Sequence, residues 1–265
     1  MSGSKALKDA NRIVIKVGTS TLTHDTGHIN LRRVEELVRV LADLRNSGKE
    51  VVLVSSGAVG VGIGKLGLKN ADRGTKEKQA YSAIGQSELM GIYGRLFSEY
   101  GCSVAQILLT KNVLEDAVRK ENAINTFGKL LDWSVIPIVN ENDVISTEEI
   151  EFGDNDTLSA VVASLIGAQA LIILSDIDGL YSADPRTDSS AKLVEEVNEI
   201  TEELLATAGG AGSNRGTGGM LTKLLAARRA TEHGVAMVIT NGDNPKIIYD
   251  ILDGKSVGTL FTAKR

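Results

Sequence analysis

One cysteine, Cys102, stands in 265 residues. An intrachain disulfide is therefore impossible and a cysteine-built metal centre cannot be assembled, which suits a reducing compartment. Runs of like charge are also missing. The 29 Lys and Arg are interspersed with 34 Asp and Glu for a formal net charge of −5, which disfavours a polybasic nucleic-acid tail. A small polyanionic ligand stays open, because it needs only local positive groups. The longest apolar stretch, Val161 to Leu174, is interrupted by Ser164 and Gln169 and is too short to cross a bilayer. The N-terminal MSGSKALKDANR lacks the apolar centre of a secretory signal. No Pro- or Ser-rich linker divides the chain, so the expectation is a cytoplasmic globular protein with one domain over 1–265.

Apolar residues make up 42%, enough for a sizeable core, while aromatics contribute only 4% and glycine is abundant at 28 residues. Short apolar runs at 12–17, 50–55, 103–109, 135–139, 171–174 and 235–240 read as buried strands. Helical spacing fills 31–44 behind a capping Asn30, then 76–100, 119–132, 156–166 (with Asp156 as its cap) and 220–233. Strands alternating with helices predict an α/β fold, an αβα sandwich around a mainly parallel sheet. Such sheets bind ligands beyond the carboxyl ends of their strands. Here those ends carry Lys16-Val17-Gly18, Ser55-Ser56-Gly57, Asn140-Glu141-Asn142-Asp143, Ser175-Asp176 and Thr240-Asn241-Gly242.

Some motifs fail on context. Gly62, Gly64 and Gly67 have dinucleotide-loop spacing, but the segment starts late after its strand and runs into polar LKNADRGTKEK. Residues 57–74 read instead as a glycine-rich loop able to close over a substrate. Gly64-Lys65 lacks the rest of a P-loop. His24 and His28 have no third ligand at metal spacing, and Asp154-Asn155-Asp156 lacks the remainder of a calcium loop.

Thr217-Gly218-Gly219-Met220-Leu221-Thr222-Lys223 opens a helix, where glycine backbone and the helix N-terminus favour an anion. Spacing alone does not separate that from a glycine loop leading into an ordinary amphipathic helix. Lys16 ends an apolar strand and needs a partner if buried. A phosphate would serve, as would solvent at an edge. The Asn/Asp clusters at 140–143 and 154–156 could orient a lysine or bind an amino acid's ammonium, and Asp176 could fix Lys16 and Lys223 by charge-assisted hydrogen bonds. Two lysines, an anion-binding turn and no Ser–His or Cys–His pair point to phosphoryl transfer.

Nine stretches, taken in order, resemble the amino acid kinase family, within it the members that act on glutamate. They are IVIKVGTSTLT (13–23), VVLVSSGAVGVG (51–62), AIGQSELM (83–90), QILLT (106–110), VIPIVNENDVIST (135–147), FGDNDTLSA (152–160), LSDIDGLYSADPR (174–186), GTGGMLTKLLAA (216–227) and SVGTLF (256–261). The resemblance implies an amino acid kinase fold and phosphorylation of the side-chain carboxylate of L-glutamate by ATP, the first step of proline biosynthesis. It also implies a substrate lobe over about residues 10–150 and a nucleotide lobe over about 151–265. Carried over by position, Lys16 and Lys223 stabilise the transferring phosphoryl group and Asp176 organises them. Ser56, Gly57, Asp143 and Asn155 hold glutamate with Asp154 and Asp156. Lys16, Ser175, Asp176, Thr217, Gly218, Gly219, Met220, Leu221, Thr222 and Lys223 line the ATP site. Magnesium is expected with the nucleotide. Further expectations are a homo-oligomer, feedback inhibition by proline and product hand-over to glutamyl phosphate reductase. Longer relatives carry a PUA-type domain after SVGTLF. None is expected here, and no nucleic-acid or membrane role is carried over. Kinases for other small acids share the fold, and an amino-acid-sensing module without catalysis is the contrasting class. A sensor has no need of Lys16 and Lys223.

Overall fold

The computed structural model describes residues 3–264 apart from 25, 69, 73, 111, 146–154 and 209–218. Along the chain run α1 (Gly3–Lys8), β1 (Arg12–Val17), α2 (Thr19–Leu22), α3 (Leu31–Asn46), β2 (Glu50–Ser55), α4 (Ala58–Leu66), α5 (Thr75–Ser98), β3 (Val104–Leu109), α6 (Asn112–Glu115), α7 (Ala117–Asp132) and β4 (Ile136–Glu141). They continue as α8 (Asn155–Leu165), β5 (Ala170–Ser175), β6 (Glu196–Val197), α9 (Glu202–Ala208), α10 (Met220–Glu232), β7 (Ala236–Asn241), α11 (Ile247–Leu252) and β8 (Thr259–Phe261). No helix among the described residues is long and apolar enough to cross a membrane.

Residues 17–151 form one compact unit and residues 1–16 with 152–265 the other. In the first, the strands run β3-β4-β2, all parallel, with Leu53 beside Ile138 and Leu109 beside Glu141. Helix α3 starts as the sequence predicts, since the Asn30 side chain accepts a hydrogen bond from the Arg33 amide at 3.2 Å. It buries Val34, Leu37, Val38, Leu41 and Leu44, whereas Leu31, at its first position, is exposed.

Of the stretch 57–74, expected to be a mobile glycine loop, residues 58–66 are instead the helix α4. Gly57 precedes it at φ 96° and Gly67 ends it at φ 67°, both left-handed. Within the helix, a Cβ on Gly62 would overlap the Tyr81 carbonyl and one on Gly64 the Gly27 carbonyl. Across the interface, a Cβ on Gly85 of α5 would overlap the Ala58 carbonyl. These glycines therefore permit close backbone packing of α4 on α5 and on the turn at Gly27, and that packing overrides their poor helix propensity.

In the second unit the strand order is β1-β5-β7-β8-β6. Strands β5 and β7 pair in parallel from Ala170–Ala236 to Ser175–Asn241, and β8 runs antiparallel to β7. Every residue of β5 is buried, as expected of a strand covered on both faces. The sequence division near residue 10 is displaced, because β1 as far as Lys16 belongs with the C-terminal residues. Gln169 explains this: its side-chain oxygen accepts from the amides of Asn11 (2.8 Å) and Arg12 (2.7 Å), and its own amide donates to the Arg12 carbonyl at 2.9 Å. The Arg12 guanidinium also donates to the carbonyl of Ile166.

Candidate active site

Within the C-terminal unit, two lysines converge on one carboxylate. Lys16 near the end of β1 reaches Asp156 Oδ1 at 2.6 Å, and Lys223 in the first turn of α10 reaches Oδ2 at 3.0 Å. Lys16 is 6% exposed, Lys223 4% and Asp156 0%. Burial alone would raise the Asp156 pKa, but the charges and hydrogen bonds of Lys16 and Lys223 outweigh it and hold the carboxyl below the usual range. One carboxylate thus lets two ammonium heads stay side by side in a buried setting, where they would otherwise repel.

Asp156 is not the cap of α8 but lies in its first turn, after Asn155. That moves a role between residues. The sequence offers two carboxylate groups for the lysines, Asp176 and the cluster at 154–156, while the resemblance puts Asp156 on the substrate. Asp156 instead pairs with both lysines, while the exposed Asp176 carboxylate accepts from Ser175 Oγ at 3.1 Å. The physical reason is position: Asp176 follows β5 at the surface, whereas the helical start at Asn155 turns Asp156 into the core.

Helix α10 begins behind Gly219, which offers no side chain to cap it, and its first turn carries the positive end of the helix dipole. Met220, Leu221 and Thr222 fill this first turn, half-buried, and Thr222 Oγ1 donates back to the Gly219 carbonyl at 2.7 Å. Buried Ser175 ends β5 beside Asn241. Asp154, Thr217 and Gly218 lie outside the described residues.

A second polar centre forms inside residues 17–151. Half-buried Ser56 follows β2, its amide donating to the Val17 carbonyl at 3.1 Å, and Gly57 leads into α4, whose N-terminus has no side-chain cap. Asp143 follows β4. Burial raises the pKa of its carboxyl, and the hydrogen bond from Ser82 at 2.5 Å counters that. Buried Asn140 donates to Gln86 Oε1 at 3.0 Å. Ser55 shares a 2.9 Å hydrogen bond with Tyr93, whose pKa burial pushes up to about 12 against the opposing Ser55 contact.

Ser82, Gln86 and Tyr93 escaped the sequence reading. The signal was there: polar side chains at positions 82, 86 and 93 occupy the same helical stripe as Leu89, where apolar residues belong. His24 and His28 pair only through backbone, His24 N to His28 O at 2.8 Å. No three His, Cys, Asp or Glu side chains among the described residues gather as a metal site.

The model of the amino acid kinase family matches residues 11–241. The chain belongs to the amino acid kinase family. It is 58% identical over 265 residues to the protein named glutamate 5-kinase of Clostridium perfringens, covering 98% of each chain. It is also 54% identical over 265 residues to the glutamate 5-kinase of Listeria innocua, covering 98% of this chain and 96% of the relative. Among solved structures, the UMP kinase of Bacillus anthracis superposes with a TM-score of 0.64 at 18% identity, covering 97% of each chain. The isopentenyl phosphate kinase of T. acidophilum gives 0.63 at 16%, covering 94% of this chain and 99% of that one. At such identities these two carry the fold alone.

Proposed function

We propose that this protein is a glutamate 5-kinase, transferring the γ-phosphoryl group of ATP to the side-chain carboxylate of L-glutamate and so opening proline biosynthesis. The observation that carries phosphoryl transfer is the convergence of Lys16 and Lys223 on Asp156. The choice of acceptor is supported by the identity to curated glutamate 5-kinases over nearly the whole chain.

The chemistry needs little beyond position and charge. A glutamate carboxylate oxygen bonds to the γ-phosphorus as the bond to the bridging oxygen of ADP breaks. The acceptor is already ionised near neutral pH, so no proton moves and no general base is required. Lys16 and Lys223 neutralise charge on the phosphoryl oxygens, held together by Asp156. Ser175, Asp176 and the turn 217–223, with the uncapped start of α10, receive the nucleotide. Magnesium arrives as MgATP and screens the phosphates from the incoming carboxylate. Ser56, the Gly57 backbone, Asn155 and Asp143 bind glutamate, with the Asp143 carboxylate taking its ammonium.

On this reading residues 17–151 serve the amino acid, helped by Asn155, and residues 1–16 with 152–265 otherwise serve the nucleotide. A cytoplasmic enzyme, homo-oligomeric, inhibited by proline and passing its acyl phosphate to glutamyl phosphate reductase, belongs to the same proposal. The test is a hydroxylamine trap with MgATP and L-glutamate, L-aspartate or N-acetylglutamate, together with ADP release on UMP. Glutamate-dependent hydroxamate, abolished by Lys16→Ala or Lys223→Ala, is the expected result. Turnover confined to another acceptor would overturn the substrate assignment.

A further inference from the structure

Helix α5 spends three core positions on polar contacts to strand ends. Ser82 is 3% exposed and Gln86 8%, one turn apart. Ser82 Oγ donates to Asp143 Oδ2 at 2.5 Å, and Gln86 Oε1 accepts from Asn140 Nδ2 at 3.0 Å. Asn140 Oδ1 accepts from the backbone amide of Glu141 at 2.9 Å, so both ends of that side chain are fixed. Further along, Tyr93 meets Ser55 at the end of β2. A buried hydroxyl or amide is costly unless matched, and an apolar residue would pack there without a partner. The helix is also a firm platform, because the glycine contacts of α4 with Tyr81 and Gly85 leave no space for it to shift.

We propose that Ser82 and Gln86 are positioning residues for recognition of an α-amino acid with a free ammonium group. Ser82 occupies one carboxylate oxygen of Asp143 and leaves the other for the substrate, while Gln86 pins Asn140 so that the turn from Asn140 to Asp143 keeps one register. Neither residue touches the substrate. The inference rests on Asp143 as the ammonium's partner in the function proposed above. A hydrogen bond donated to a carboxylate favours its charged form. Ser82 therefore opposes the burial that raises the Asp143 pKa, and among the described residues no charged neighbour adds to either influence.

Steady-state ADP release on the full chain tests this with Ser82→Ala, Ser82→Thr and Gln86→Leu. Losing a hydrogen bond to a charged group corresponds to roughly a ten- to hundredfold change in affinity. Ser82→Ala is expected to raise KM for glutamate by about tenfold or more, leave KM for MgATP unchanged, and move the acid limb of kcat/KM for glutamate to higher pH. Ser82→Thr keeps the donor and restores both. Gln86→Leu raises KM for glutamate without moving the limb, since Asn140 does not titrate. A Ser82→Ala enzyme with the wild-type KM and acid limb overturns the inference, as does a loss shared equally by kcat and both KM values. Wild-type protein inactive on glutamate would instead overturn the function on which the inference rests.

Discussion

Replacing Asp156 by Asn keeps the shape of the side chain and removes the charge on which two buried lysines meet. Both ammonium groups lie within hydrogen-bonding distance of one carboxylate. At an effective dielectric of about 20 and a separation of about 6–8 Å they repel by roughly 2–3 kcal/mol once it is gone. Unpaired burial adds to this, so the whole loss is expected near 3–5 kcal/mol. The pH dependence has a definite sign. The folded pKa of Asp156 lies below its ordinary value of 3.8, so its stabilisation is complete above about pH 4 and is lost as pH falls through the lowered value. The gap between wild type and Asp156→Asn should therefore be level from about pH 6 to 8 and narrow only in acid. Urea unfolding followed by far-UV circular dichroism measures it through the midpoint. In the same variant kcat should fall by about a hundredfold, the scale of an ångström's misplacement of catalytic groups. Exchanging all three for apolar residues, Lys16→Met with Asp156→Leu and Lys223→Met, should recover most of the stability and none of the activity. An Asp156→Asn protein with wild-type midpoint and kcat would refute the reasoning.

Gly85→Ala puts a Cβ against the Ala58 carbonyl and should cost about 1–3 kcal/mol by overpacking, read as a lower melting temperature. KM for glutamate should rise with it, because Ser56 and Gly57 lead directly into α4. Tyr93 should remain a phenol until pH approaches about 12, so ultraviolet titration of the folded protein should show it ionising last, after Tyr181, which the Asp178 hydrogen bond also raises. The Tyr93 contribution to stability is present below about pH 10 and lost as pH rises through the folded value. Tyr93→Phe should remove that late step, and urea unfolding should show about 0.5–1.5 kcal/mol lost with the hydrogen bond to Ser55.

Strand positions were largely legible because runs such as ALIIL (170–174) and AMVI (236–239) are apolar throughout, as strands buried on two faces require. Asn30 announced α3 through a local hydrogen bond, which needs no tertiary knowledge. The segment 58–66 was not legible. Its glycines are poor helix formers, and their use appears only where Tyr81, Gly27 and Ala58 approach. The site divided in the same way. Lys16 and Lys223 stood out by residue type and by place at element ends. Which carboxylate joined them depended on α8 starting at Asn155, a difference of one residue that spacing does not set. Ser82 and Gln86 were hidden because their partners lie 61 and 54 residues away.

The tie between Arg12 and Gln169 bears on how the protein is made. Residues 17–151 emerge from the ribosome as a continuous stretch and can begin folding as they appear. Strand β1 gains its place beside β5, and its tie to Gln169, only later, since both are translated more than a hundred residues after it. At about 5–20 residues per second that wait is on the order of ten seconds. Throughout it, the β5 edge of this apolar strand stays open to chaperones or to the same strand on a neighbouring nascent chain. The lysine at its end finds its carboxylate only when α8 arrives, so phosphoryl-transfer chemistry is among the last properties the growing polypeptide acquires.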